Sequence, residues 1–473
     1  MHKRKTFGAI LLPVLLAACA GTRPDYHMPP VPVAKGADFV TASPEFDPVA
    51  PVPDDWWKLY RDPALDDLVE RALAANTDLR VAEANLDRAR AVLEEARAGR
   101  LPSTTVTGGV NYGDGFPGGA GQGIGSLGDT DLSANAGFGL SYELDIFGRV
   151  QQAIAAARAD AEAVEAARDI VRVTVAAETT RSYLNACAFA YALEVARESH
   201  RASVRSLELT EALQRAGSLG MLSVEQAGAV AAGARAEIPV LEAQRQVALF
   251  ELAALLGTTP DRVPASGLAC NVPPEPVAAL PVGDGTALLR RRPDIRQAER
   301  ELASATAQVG VATADLYPTI TLGGSANFFR NDQVRGSDSL SFSLGPLISW
   351  NFPNMSVARA RVRQAEAGQE ASLARFDGSV LNALKQVEQA LAEVASQQDR
   401  LTALAEARGR SEKAFEFAEL RYRAGSVGYL DVLVSQREWL AARRAYSDAL
   451  QRLSSARVDL FRALGGGWQE GDP

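Results

Sequence analysis

The stretch LDDLVERALAANTDLRVAEANLDRARAVLEEARAGR, residues 65–100, has a counterpart 216 positions later, PVGDGTALLRRRPDIRQAERELASATAQVGVATADL at residues 281–316. A further match follows in the same order, since RAGSLG at 215–220 corresponds to RAGSVG at 423–428. A solenoid repeat is about 20 to 50 residues long, so a repeat of roughly 200 residues predicts a whole structural layer in each half. The chain is therefore an internal duplication.

Apolar and small residues dominate the helical part of each half. They recur at alternating steps of three and four residues from Leu68 to Ala96, which predicts a heptad seam. Many seam positions are alanine, which favours a sheet of closely spaced helices. Residues 149–216 and 356–424 contain no proline, so each predicts a helix of roughly 100 Å. Shorter helices, which in pairs match one long helix, are predicted at 65–99 with 222–256 and at 286–315 with 430–464.

Between these helices, apolar residues alternate with polar ones, which predicts β-strands with one apolar and one polar face. In the first half the apolar residues Val106, Val110 and Tyr112 lie at even positions of 103–112, as do the apolar residues of 132–145, and a Gly-rich loop at 113–130 joins the two segments. The second half repeats the pattern at 319–328 and 339–350. Strands of about ten residues with this alternation are typical of a transmembrane β-barrel.

Four strands are too few for a closed barrel. An open sheet edge in lipid leaves backbone groups without hydrogen-bond partners, so the chain is expected to oligomerise. Two copies would give eight strands around a filled interior, and three would give twelve around a polar lumen. The Gly- and Ser-rich inward faces favour three. The alternative, a water-exposed sheet, would leave its apolar faces uncovered.

The first residues have the pattern of a bacterial lipoprotein signal. Basic residues at 2–5 precede an apolar segment at 7–16, and Leu-Ala-Ala then precedes Cys19. We therefore expect cleavage after residue 18 and a covalent lipid on Cys19, followed by a Pro-rich tether at 22–53; an ordinary signal peptide that contains a cysteine is the alternative. Ala20 replaces the aspartate of inner-membrane retention signals, which implies the outer membrane.

Composition and motifs argue against several other classes of protein. Without the signal the chain has 46 basic and 58 acidic residues, which argues against nucleic acid as a partner. No later segment has 18 uninterrupted apolar residues, as a transmembrane helix would. Neither Cys187 nor Cys270 has a second Cys or a His at metal-ligand spacing, and the phosphate-loop, dinucleotide-binding and nucleophile-elbow motifs are absent. We therefore predict no metal, no cofactor besides the lipid and no catalytic residues.

Several short motifs occur in one order along nearly the whole mature chain: WW at 56–57 with DPAL at 62–65, RPDIR at 292–296, YRAG at 422–425 with YLDVL at 429–433, and LGGGW at 464–468. They resemble the TolC-like outer-membrane efflux proteins in the OprM/NodT lipoprotein branch. The resemblance implies a homotrimer, with a twelve-stranded barrel in the outer membrane on a twelve-helix tunnel in the periplasm. It also implies a periplasmic adaptor protein and an inner-membrane pump of the resistance-nodulation-division (RND) type as partners.

The predicted fold is mainly α with a β-barrel part, in which each protomer is an internal duplication of long coiled-coil helices and two transmembrane β-hairpins. The predicted segments are a signal peptide at 1–18, a lipidated tether and equatorial segment at 19–64, repeat 1 at 65–257 with a hairpin at about 103–145, an equatorial linker at 258–285, repeat 2 at 286–465 with a hairpin at about 318–351, and a C-terminal tail at 466–473.

The predicted function is a passive exit duct, not an enzyme, for drugs, small toxic compounds or metal ions that a partner pump energises. Lipidation and the Gly-Gly-Gly-Trp ending favour efflux over the outer-membrane component of a type I protein secretion system. A structural periplasmic coiled-coil lipoprotein is the alternative from another class, but it would have no use for apolar strand faces of membrane-spanning length. The sequence does not identify the substrate, the pump or the adaptor.

Two turns reverse the long helices. Gly217 and Gly425 are predicted to be left-handed caps at these tips. We expect the tips to be the adaptor-docking sites, with Arg215 and Arg423 as exposed contacts.

Asp431 follows the second tip, and a carboxylate in the first helical turn is stabilised by the helix dipole. The first half has Ser223 at the equivalent position, so helix initiation does not demand a charge. The resemblance implies that aspartates here line the periplasmic entrance, where three copies would attract cations. Val434, one turn on, departs from the pattern of a second entrance carboxylate.

Cys187 and Cys270 are candidates for a disulfide. Counted from residue 149, Cys187 lies about 57 Å along the long helix, close to the level expected for the linker that contains Cys270. The periplasm is oxidising. Two buried free thiols are the alternative.

Overall fold

The structure is a computed structural model, which describes residues 26–29, 39–41, 43–114, 130–276, 279–331 and 334–467. The α-helices in these ranges are α1 (Pro63–Ala75), α2 (Thr77–Ala98), α3 (Arg149–Arg215), α4 (Met221–Leu255), α5 (Ala265–Ala269), α6 (Gly285–Arg291), α7 (Pro293–Ala314), α8 (Ser356–Arg423) and α9 (Tyr429–Ala463). The strands are β1 (Phe46–Asp47), β2 (Ser103–Asp114), β3 (Thr130–Leu144), β4 (Leu280–Pro281), β5 (Thr319–Arg330) and β6 (Leu340–Ser349). No helix in the described ranges is long and apolar enough to cross a membrane.

The chain forms two compact units. The sheet unit contains the described residues 26–29 with Leu86–Val164 and Ala298–Phe376, and the core unit contains the other described residues.

The long helices α3 and α8 have 67 and 68 residues, within one residue of the predicted ends. At the start of α3 the Asp145 carboxylate accepts hydrogen bonds from the backbone N–H of Val150 at 3.0 Å and of Gln151 at 2.8 Å. These N–H groups have no acceptor within the helix, so the carboxylate caps it. A glycine with positive φ follows the last turn of each long helix, Gly217 (φ 76) and Gly425 (φ 72).

The helix predicted at 65–99 is wrong as a single helix, because the chain breaks at Asn76. The backbone of Asn76 leaves the helical region (ψ 135), and its side-chain oxygen accepts hydrogen bonds from the N–H of Asp78 at 2.9 Å and of Leu79 at 3.2 Å. Asparagine is a preferred N-cap residue, so the same residue ends α1 and begins α2.

The helix predicted at 286–315 is also two helices, because the proline after Arg292 disfavours helical geometry in the residue before it. Arg292 donates a hydrogen bond to the carbonyl of Ala463 at 2.7 Å, in the last turn of α9. In the first half the Asn76 amide donates to the carbonyl of Leu255 at 3.0 Å, in the last turn of α4. Last-turn carbonyls have no donor within their own helix. The residue at each break therefore caps the C-terminal end of a helix of its own half, α4 in the first half and α9 in the second.

The sheet unit contains a four-stranded antiparallel sheet in the order β2-β3-β5-β6. The two hairpins meet through β3 and β5, so β2 and β6 are edge strands. Each edge strand leaves a row of backbone N–H and C=O groups outside the ladder. Pro346 lies in β6, and an edge strand is where a sheet tolerates a residue without an N–H.

The strand register keeps the even-numbered residues of all four strands on one face. Val106 pairs with Phe138, Phe138 with Ala326, and Ala326 with Phe342. Side chains alternate between the faces along a strand, and directly paired residues share a face. The predicted apolar positions therefore form one surface and the polar positions the other.

The core unit packs around Trp56. This side chain is fully buried and stacks on Phe461, with the ring centroids 4.8 Å apart. A Cβ atom at Gly466 would lie 2.7 Å from Trp56 Cδ1, so only glycine fits at that position. The Trp-Trp and Gly-Gly-Gly motifs thus pack against each other in one core.

Candidate functional site: the helix tips and the apolar sheet face

The even-numbered face of the sheet is apolar and exposed in a single chain. Phe342 is 89% exposed, and the other large side chains of this face that are exposed to a third or more are Val106, Val110, Tyr112, Leu132, Phe138, Leu144, Leu322, Phe328, Leu340, Leu344 and Ile348. A contiguous apolar surface of this kind marks contact with a membrane or another protein.

Aromatic residues gather at the end of the sheet that adjoins the helices. Phe147 stacks on Tyr317 and Trp350 stacks on Phe352, each with ring centroids 4.7 Å apart. Tryptophan and tyrosine concentrate where a membrane meets water, because one end of each side chain is apolar and the other polar. Their position is therefore the one expected for the periplasmic boundary of membrane-spanning strands.

The odd-numbered face carries small and polar side chains. Ser325 and Ser343 are hydrogen-bonded across the strands at 2.9 Å between their Oγ atoms. A Cβ atom at Gly137 would lie 2.8 Å from Thr107 Oγ1 and 3.0 Å from Asn327 Oδ1, so the glycine makes room for these polar neighbours. Transmembrane strands with a polar lumen have this division between an apolar and a polar face.

Each long helix ends at its tip in a Schellman motif. The N–H of Ser218 donates to the carbonyl of Leu213 at 2.9 Å, and the N–H of Gly217 donates to that of Gln214 at 2.9 Å. Gly425 repeats the motif at the second tip, with the corresponding bonds at 2.9 and 2.8 Å. The predicted left-handed caps are thus present, because this motif requires a positive φ at the residue after the helix.

Arg215 and Arg423 are exposed, as expected. Arg423 pairs with Glu419 one turn back at 3.3 Å, and 70% of the arginine side chain is accessible. An exposed pair of this kind holds the side chain weakly, so the guanidinium can change partner. Adaptor docking at these residues remains a prediction.

The two tips share one apolar cluster, which sequence reasoning missed. Tyr429, at the start of α9, is buried, and its hydroxyl lies 2.6 Å from the hydroxyl of Ser206 in α3 and donates to the Ser206 carbonyl at 3.0 Å. Leu219 of the first tip packs against the same cluster. Tyr422 contacts the Tyr429 ring edge to face at 5.1 Å, and burial raises the pKa of Tyr422. Ser206 belongs to no motif and lies 223 residues from Tyr429, so the sequence held no signal for this contact.

Asp431 caps its own helix. Its carboxylate accepts a hydrogen bond from the backbone N–H of Gly428 at 3.1 Å, and the residue is exposed. Val434, one turn further, is 45% exposed. The capping role is therefore present in a single chain, and a role at an entrance remains a prediction.

A disulfide joins Cys187 of α3 to Cys270, which follows α5. The bond closes a sequence separation of 83 residues and fixes the linker between the two halves to the middle of the long helix. Cys187 is fully buried.

Cys19 lies outside the described residues, so its lipid remains a prediction. No cluster of three or more His, Cys, Asp and Glu side chains is placed to hold a metal ion in the part of the chain that the structure describes.

The sequence model of the "Outer membrane efflux protein" family matches residues 68–258 and 286–466, one match in each half. The chain is 32% identical to the pyoverdine export outer membrane protein OpmQ of Pseudomonas aeruginosa, over 88% of this chain and 87% of that protein. It is 30% identical to the probable outer membrane lipoprotein SilC of Salmonella typhimurium, over 96% and 97%. The solved structure of the outer-membrane channel OprN superposes with a TM-score of 0.86 at 36% identity, over 95% of this chain and 99% of that one.

These matches confirm the expected fold class, mainly helical and internally duplicated, and they cover both halves and the sheet. The chain therefore belongs to the outer membrane efflux protein family and is an outer-membrane efflux protein.

Proposed function

We propose that three copies of this chain join their sheets edge to edge, β2 of one copy with β6 of the next, and form a twelve-stranded barrel. The single observation that carries this proposal is the four-stranded sheet, which is apolar on one face, polar on the other and open at both edges. In lipid the edges need partners, and only closure satisfies every backbone group. The resulting channel is a passive exit duct and performs no catalysis.

The helix tips are the docking surface for a periplasmic adaptor, and the duct receives its substrate from an inner-membrane RND-type pump. The exposed Arg215 and Arg423 beside the two caps support this role, because they are charged contacts on rigid turns. The substrates are small organic compounds, drugs or metal ions. The name of OpmQ, a pyoverdine export protein, agrees with small molecules as the class.

A lipid on Cys19 anchors the chain to the outer membrane, as the name of the lipoprotein SilC supports. At the periplasmic entrance, three copies of Asp431 form a ring of negative charge that favours cations. With Val434 in place of a second carboxylate, this ring has a single layer.

Native mass spectrometry of the detergent-solubilised protein tests the trimer, and single-channel recording in lipid bilayers tests the passive duct. We expect the mass of three chains and an ohmic current without an added energy source. Cross-linking from Arg423→Cys, followed by co-purification, tests the adaptor and the pump. A folded monomer that conducts no ions would contradict the proposal.

A further inference from the structure

Tyr26 contacts helix α7, although the two are far apart in the sequence. Its hydroxyl donates a hydrogen bond to Glu299 Oε1 at 2.5 Å and lies 3.4 Å from the carbonyl oxygen of the same residue. The guanidinium of Arg300 lies over the tyrosine ring, 5.8 Å from its centroid. The Tyr26 side chain thus contacts two adjacent residues of the helix, Glu299 through its hydroxyl and Arg300 through its ring.

The α7 side of this contact is prepared for a donor. Glu299 is 5% exposed and pairs with Arg300, which also pairs with Glu162 of α3 at 2.9 Å. A buried carboxylate requires hydrogen-bond donors, and Tyr26 provides one from outside the helices. Burial and the bond to Glu299 raise the pKa of Tyr26, so the hydroxyl keeps its proton even where a free tyrosine begins to ionise. The contact is therefore a charge-assisted hydrogen bond.

The position of this contact limits the reach of the N-terminal segment. Tyr26 is seven positions after Cys19, so Cys19 stays within about 25 Å of the contact even when the chain is extended. Helix α7 rises about 22 Å from Glu299 to its end at Ala314, shortly before β5 begins. The end of α7 is thus within the reach of Cys19.

The next contact of the N-terminal segment among the described residues lies much further along. The backbone N–H groups of Val40 and Thr41 donate to the Glu388 carboxylate at 2.6 and 3.0 Å. If Tyr26 were released, the first fixed residue would be Val40, 21 positions after Cys19, which gives a reach of about 70 Å. The Tyr26 contact therefore reduces the reach of the segment almost threefold.

We propose that Glu299 and Arg300 are a docking site for the protein's own lipidated N-terminal segment, and that Tyr26 is the latch that holds the lipid near the membrane-facing end of α7. The proposal rests on the lipidation of Cys19 proposed above. The latch is a hydrogen bond between two parts of one chain. It is distinct from lipidation, because it can open while the lipid stays attached.

Chymotrypsin cleavage after residue 26 measures the opening of the latch. The enzyme cuts after both tyrosine and phenylalanine, so wild type and Tyr26→Phe can be compared. The purified trimer is digested, and release of the N-terminal peptide is followed by mass spectrometry, with each rate divided by that of the denatured chain. Cleavage follows the open population when opening is fast. Tyr26→Phe removes only the hydroxyl, and we expect about tenfold faster cleavage, as for the loss of a charge-assisted bond. Glu299→Gln is expected to accelerate it as well.

Glu94→Gln is the matched control, since Glu94 is an exposed carboxylate of α2 in the same unit. It should leave the rate unchanged. Equal rates for wild type and Tyr26→Phe would overturn the latch, and this variant decides even if Glu299→Gln disturbs α7. The mass of the released peptide reports lipidation separately. A peptide without lipid would contradict lipidation at Cys19, whatever the rates show.

Discussion

Replacement of Gly425 by valine is expected to loosen the second tip without changing the rest of the protein. A Cβ atom at Gly425 would meet nothing within 4 Å, so the substitution introduces no clash. Its cost comes from φ, which is 72° and unfavourable for a residue with a side chain. A left-handed conformation costs an L-residue about 1 to 2 kcal/mol, and more for a β-branched one.

The assay is hydrogen exchange at the two amides that close the cap, those of Gly425 and Ser426, whose bonds are 2.8 and 2.9 Å. A cost of about 1 to 2 kcal/mol corresponds to roughly five- to thirtyfold faster local exchange. Gly425→Asn should have a smaller effect, because asparagine tolerates this conformation. Gly428→Ser is the matched control, because the φ of Gly428 is −76° and serine is a preferred N-cap residue.

Two results would refute this reasoning. If Gly425→Val exchanged like Gly428→Ser, the cap would not depend on φ. If exchange became faster while adaptor cross-linking and drug resistance stayed normal in a folded trimer, the second tip would not be a docking site. Gly217→Val, with a φ of 76°, repeats the test at the first tip.

Alkylation of the denatured, unreduced protein will label neither Cys187 nor Cys270, and labelling of both would show free thiols. Loss of the disulfide in Cys270→Ser will lower the free energy of unfolding by about 4 to 5 kcal/mol, as expected for a separation of 83 residues. Asp431→Ala and Asp431→Asn will both lower cation selectivity and weaken divalent block in bilayer recordings, although asparagine can still cap the helix; unchanged recordings would leave Asp431 a cap alone. Burial raises the pKa of the Asp169 carboxyl despite Arg168 and Arg296. The protonated carboxyl therefore contributes to the stability of the fold at acid pH, and this contribution is lost as the pH rises through the raised pKa. Asp169→Asn will therefore gain in unfolding midpoint relative to wild type as the pH rises above 3.8, the ordinary pKa of the group, and a constant difference would contradict this.

The long helices could be predicted almost to the residue because their signals are local. Absence of proline sets their extent, and glycines at 217 and 425 set their ends. The two faces of the strands could be predicted equally well, because apolar and polar residues alternate in the sequence wherever one face is apolar and the other polar. The break at Asn76 was missed because asparagine inside a helical pattern costs little by itself, and only its bonds to Asp78 and Leu79 make it a cap.

Contacts between distant segments were beyond sequence reasoning. Tyr26 and Glu299 are 273 residues apart, and neither lies in a motif that names the other as its partner. Tyr429 was visible as part of a family motif, but its partner Ser206 was not. The Tyr429 pair depends on the side-by-side position of two helices, and the Tyr26 pair on the path of a segment outside the helices. One sequence encodes neither in a periodic form.

Three pairs of matched helices differ in length by no more than one residue: α2 and α7 have 22 each, α4 and α9 have 35 each, and α3 and α8 have 67 and 68, whereas α1 has 13 and α6 has 7. The hairpins differ as well, since 15 residues separate β2 from β3 and nine separate β5 from β6. One residue added to a helix shifts everything beyond it by about 1.5 Å and turns it by about 100°. Insertions and deletions should therefore be tolerated between the strands of a hairpin and rejected within these three pairs of helices, which serve as spacers of fixed length.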